Sequence, residues 1–66
     1  MTPQLPHQGR LLDERAAAEV LCCSVAFLRK MRLFGNGPGY CKIGRLVRYA
    51  EVDLASFIAK SRVEVA

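Results

Sequence analysis

A chain of 66 residues has room for one small hydrophobic core and not for two domains. With 52% hydrophobic and 24% charged residues it has the balance of a folding chain rather than a disordered one. Ten Lys and Arg against six Asp and Glu leave a net charge of +4, and so small a scaffold cannot surround a deep catalytic cleft, so a binding module is expected and an enzyme is not.

Residues 1–10 contain Pro3, Pro6 and Gly9 without hydrophobic periodicity, and read as a flexible or loosely docked arm. They lack the charged-then-apolar layout of a signal peptide, and no run reaches the roughly 18 apolar residues of a membrane span, so a cytoplasmic protein with no membrane partner is expected. The folded domain is placed at residues 11–62. Asp13 is a helix N-cap with Glu14 in the first turn, and the alanine-rich run that follows favours a helix over residues 14–21, with Ala17, Val20 and Leu21 on one face. Ser24 caps a second helix over residues 25–33. Leu28 and Met31 form its inward seam, Leu28 meets Cys23 as a hydrophobic staple, and Arg29, Lys30 and Arg32 point elsewhere.

Gly35-Asn36-Gly37-Pro38-Gly39 cannot continue that helix. Tyr40 to Tyr49 then reads as a β-hairpin about a Gly44-Arg45 turn, with Ile43, Val47 and Tyr49 inward, Lys42, Leu46 and Arg48 outward, and Arg45 at the tip. A third helix is predicted over about 51–61, with Leu54, Phe57 and Ile58 on one face and Phe57 in the core. Residues 63–66 read as a tail. The fold class is thus mainly α with a small β-hairpin: a winged helix-turn-helix of three short helices and a two-stranded wing.

The charge is unevenly placed. Between Glu19 and Glu51 stand Arg29, Lys30, Arg32, Lys42, Arg45 and Arg48 and no acidic residue, the electrostatic footprint of a surface that meets a phosphate backbone. Cys22, Cys23, Cys41 and His7 offer no paired metal-ligand spacing, so reduced thiols, no metal and no cofactor are expected. Tyr40 and Tyr49 read as packing residues with solvated hydroxyls.

From Gly37 through Tyr49, followed by Asp53-Leu54 and Phe57-Ile58, the sequence is similar to the wing and closing helix of the small excisionase and AlpA-like proteins, relatives of the MerR regulators. Leu11-Leu12, Ala17-Ala18, Leu21, Ser24 and Leu28 resemble that family's first two helices, so the likeness spans residues 11–60. It implies a recombination directionality factor of a bacterial or phage mobile element. Such a protein acts on double-stranded DNA at the nucleoid, associates with further copies along tandem sites, bends the duplex and assists an integrase, either a tyrosine or a serine recombinase, in excision.

Regulation of transcription is implied as well, and an AlpA-like regulator without a recombination role is the alternative. The residues expected at DNA are Ser24, Val25, Ala26, Arg29, Lys30, Arg32, Lys42, Arg45 and Arg48.

Two departures from the family pattern matter. Cys22 stands where glycine is common after the first helix, and a left-handed backbone there costs about 1 kcal/mol. Val25, Ala26 and Phe27 stand where polar residues usually open the second helix, so base-edge hydrogen bonds from those side chains are excluded. Three readings remain for this trio: part of the core, an apolar patch facing DNA, or a contact with a neighbouring subunit. A protein-interaction module docking through the same three residues is the alternative from another class.

Overall fold

The computed structural model describes residues 9–65, in the order β1 (Leu11–Leu12), α1 (Glu14–Val20), α2 (Val25–Phe34), β2 (Cys41–Ile43), β3 (Leu46–Ala50) and α3 (Glu51–Ser61). Most of the expected arm, residues 1–8, and the last tail residue lie outside the described residues.

Both early helices begin as their capping residues dictate. The Asp13 carboxylate accepts the Ala16 amide at 2.8 Å, and the Ser24 hydroxyl accepts the Phe27 amide at 3.0 Å, each satisfying a donor the helix leaves free. They also end alike. After α1 the Cys22 amide donates to the Glu19 carbonyl and the Cys23 amide to the Ala18 carbonyl, with Cys22 at φ 55°. After α2 the Gly35 amide donates to Arg32 and the Asn36 amide to Met31, with Gly35 at φ 73°. Both are Schellman closures, and the first carries a cysteine at the left-handed residue.

The hairpin turns through Gly44, whose φ of 61° with no positive φ at Arg45 is the pattern of a type II′ turn. This two-residue loop sets Ile43 opposite Leu46, Lys42 opposite Val47 and Cys41 opposite Arg48. Directly paired residues share a face, so Ile43 goes with Leu46 and is half exposed, not inward as expected, while Lys42 shares the face of Val47 and Tyr49. The sheet also has a third strand: β1 pairs antiparallel with β3, giving the order β1-β3-β2. Two residues carry no readable alternation, which is why only a two-stranded wing is predicted from sequence.

Leu12, Ala17, Ala18, Leu28, Tyr49 and Leu54 form the core, with Leu21, Cys23, Val25, Met31 and Val47 packed against it. Small alanines on α1 let α2 and β3 approach closely. Val20, expected on the buried face, is exposed: the inward face is centred between Ala17, Ala18 and Leu21, and Val20 lies more than a quarter turn round the helix from it. The connecting loop lies tight on α2: a β-carbon on Gly37 would stand 3.0 Å from the Met31 β-carbon, and Pro38 is buried.

Helix α3 lacks a side-chain cap. Its first amide, that of Glu51, instead donates to the Arg10 carbonyl at 2.9 Å, and the Arg10 amide donates to the Glu51 carboxylate at 3.2 Å. Arg10 is therefore tied to the fold, and the expected arm stops short of it. On α3 Leu54 is buried, whereas Phe57 is half-buried and Ile58 half exposed, so the core ends one turn earlier than expected. Among the described residues no helix is long and apolar enough to cross a membrane.

Candidate nucleic-acid interface

The period of α2 decides which of its side chains look where. Leu28 points into the core, and Val25, Met31 and Arg32 flank it half-buried, which leaves Ala26, Arg29, Lys30 and Leu33 on the open side. The first turn of α1 and the wing rise on either side of the face of α2 that carries Val25, Arg29 and Arg32. Between them runs an open cleft of about 710 Å³. Its walls are Asp13, Glu14 and Arg15 from α1, Val25, Arg29 and Arg32 from α2, Tyr40, and Lys42, Arg45, Leu46, Val47 and Arg48 from the hairpin. Six of these are basic and two acidic, so the cleft is electropositive.

One carboxylate organises the floor of this cleft. Glu14 accepts Arg29 Nε at 2.7 Å on one oxygen and Arg32 Nη1 at 3.0 Å on the other. The same Arg32 Nη1 donates to the Tyr49 hydroxyl at 3.0 Å, and its guanidinium carbon lies 5.7 Å from the centre of the Tyr40 ring. Tyr40 in turn packs against Tyr49 with ring centres 6.2 Å apart. Desolvation alone would raise the Glu14 carboxyl, but the hydrogen bonds and charges of Arg29 and Arg32 outweigh it and hold the group below its ordinary value.

The residues expected at DNA therefore separate. Arg29, Arg32, Lys42, Arg45, Arg48 and Val25 are brought together in the cleft. Arg32 is the least free of them, because its side chain is 21% exposed and committed to α1, β3 and the connecting loop, whereas Arg29 is 62% exposed and holds Glu14 through Nε alone. Arg48 is half-buried and donates to the Val47 carbonyl at 2.8 Å. Arg45 and Lys42 are exposed, and Ser24 is occupied as a cap. Lys30 and Ala26 are exposed on the outer side of α2, outside the cleft.

The trio at the start of α2 does not form one surface. Val25 enters the cleft wall, Ala26 faces solvent, and Phe27, 51% exposed, lines a separate apolar groove of about 610 Å³ with Val20, Met31, Phe57 and Ile58. Sequence reasoning missed Arg15 and Glu14 as parts of the cleft. The sequence places Glu14 and Arg15 in the first turn of α1, but only the packing of α1 on α2 sets Glu14 beside Arg29 and Arg32. The three cysteines are free thiols, Cys22 exposed and Cys23 and Cys41 half-buried, and among the described residues no cluster of three His, Cys, Asp or Glu side chains could hold a metal ion. Comparison of the chain with protein-family models and with curated proteins yields no match.

Proposed function

We propose that the protein binds double-stranded DNA as a small excisionase, occupying tandem sites near the attachment site of a mobile element, bending the duplex and favouring integrase-mediated excision. In this reading it works in the cytoplasm at the nucleoid and also regulates transcription. The observation that carries DNA binding is the electropositive cleft between wing and α2, at whose edges Arg29, Lys42 and Arg45 keep donors open to solvent. A sugar-phosphate strand laid along it meets cations from two elements at once, while Ala26 and Lys30 on the outer side of α2 approach the major groove. Ala26 offers a thymine methyl contact and Lys30 a hydrogen-bonding cation, a modest set for direct reading of sequence.

A gel-shift salt titration tests the reading. The double variant Lys42→Ala/Arg45→Ala is expected to weaken binding to all duplexes alike and to flatten the dependence of log K on log salt by about 2, near 0.9 for each phosphate no longer neutralised. An unchanged slope would remove the wing from the interface. The recombination role rests on the family resemblance of residues 11–60, and an excision assay with and without the protein separates it from a purely transcriptional AlpA-like role. Unchanged excision would leave the regulator. The protein-interaction alternative is disfavoured by the dispersal of Val25, Ala26 and Phe27 over different surfaces.

A further inference from the structure

The free end of the wing carries an apolar pair that the fold does not use. Ile43 and Leu46 are direct cross-strand partners beside the turn, 52% and 53% exposed, and neither belongs to the core cluster. Arg45 stands between them in the loop, and residues 40–50 hold no acidic side chain. At Gly44 nothing lies within 4 Å of where a β-carbon would stand, so the tip is slim and open. Leu46 also borders the cationic cleft, which makes the apolar tip continuous with the surface assigned to the phosphate backbone.

An apolar pair ringed by cations at the end of a two-stranded ribbon fits a polyanion with an apolar interior. The geometry points to a wedge: Ile43 and Leu46 enter the minor groove of a duplex and pry open one base step, while Arg45 and Lys42 hold the flanking phosphates. This rests on the duplex-binding reading above and adds to it the element that distorts the DNA. Strand backbones in a ribbon lie about 4.8 Å apart before side chains are counted, and the minor groove is only about 6 Å wide. Seating the tip therefore requires the groove to widen, and apolar side chains driven into it unstack the step and kink the duplex away from the protein. Pyrimidine–purine steps, which unstack most easily, are the sites it selects.

The test uses the full chain and the double variant Ile43→Thr/Leu46→Thr, which keeps strand-forming residues at two solvent-facing positions and every charge in place; circular dichroism checks that it folds. The probe is a duplex of about 30 base pairs with end-to-end fluorescent labels and 2-aminopurine at a central TA step. The parent is expected to shorten the end-to-end distance and raise the 2-aminopurine emission severalfold. The variant is expected to bind with the same salt slope and to lose both signals. A parent that binds without bending, or a variant that bends as the parent does, overturns the wedge. So does a variant that keeps the single-site bend and loses cooperativity between sites, which would assign the pair to a second copy. A parent that binds no duplex removes the DNA-binding reading itself, and the wedge with it.

Discussion

At Cys22 the backbone adopts a left-handed conformation, φ 55°, that glycine reaches without strain and that a residue with a β-carbon reaches at a cost of about 1–2 kcal/mol. Glycine also enlarges the unfolded ensemble, which takes back part of that gain. Cys22→Gly is thus expected to stabilise the fold by about 0.5–1 kcal/mol and raise Tm by a few degrees in thermal unfolding. The matching position after α2 supplies the control: Gly35→Ala, with nothing within 4 Å of the added carbon, is expected to destabilise by about 1 kcal/mol through backbone strain alone. Single residues of this sort were the most legible part of the sequence. The caps at Asp13 and Ser24 follow from short-range rules linking a side chain to its own backbone, whereas the strain at Cys22 was legible only against the glycine of the family pattern the chain resembles. The facing of Val20 and Phe57 was not readable in that way, because it depends on how other elements pack; that of Ile43 was, since the expected Gly44-Arg45 turn already pairs it with Leu46 and so on the same outward face.

Helix α2 is held at its angle by a salt-bridged fork that reaches both neighbours: Glu14 on α1 and, through Arg32, Tyr49 on β3. Replacing Glu14 with Gln is expected to cost about 1–2 kcal/mol, since two charge-assisted hydrogen bonds are weakened and Arg32 keeps a partly buried charge. The folded carboxyl lies below its ordinary value, so its contribution is fully present above the unfolded pKa and is lost as pH falls through the depressed folded one. Chemical denaturation at neutral and at acidic pH should therefore show the parent losing this increment on acidification, while Glu14→Gln loses less. Added salt should shrink the Arg29 half of the effect more than the Arg32 half, because Arg29 is the more exposed. The linear charge count did not reveal this arrangement. It showed a basic stretch free of acids between Glu19 and Glu51, yet packing α1 on α2 brings Glu14 onto that stretch and turns Arg32 from a free cation into a strut.

The whole molecule rests on one small cluster, in which Leu54 is the buried side chain of α3. A single core of this size supplies only about 3–5 kcal/mol of net stability, and Leu54→Ala typically removes about 2–5. The variant is expected to lose its cooperative melt near room temperature. If duplex DNA is the ligand, adding it at about 100 times Kd contributes roughly 2.7 kcal/mol to the parent and shifts its melting upward by many degrees; an unrelated polyanion such as heparin separates duplex recognition from simple charge. The order of elements and the helix-turn-helix with its wing were legible because capping, turn residues and hydrophobic period agree along the chain. The third strand and the apolar groove were not, since one is too short to show a period and the other is assembled from residues far apart in sequence.

The reciprocal pair between Arg10 and Glu51 makes the outermost described elements of the chain open together. Because the first amide of α3 is held by the residue preceding β1, fraying that helix from its start means unzipping the edge strand as well. In deuterium-exchange measurements the Glu51 amide and those of β1 should then lose protection as one cooperative unit, ahead of the amides around Leu28.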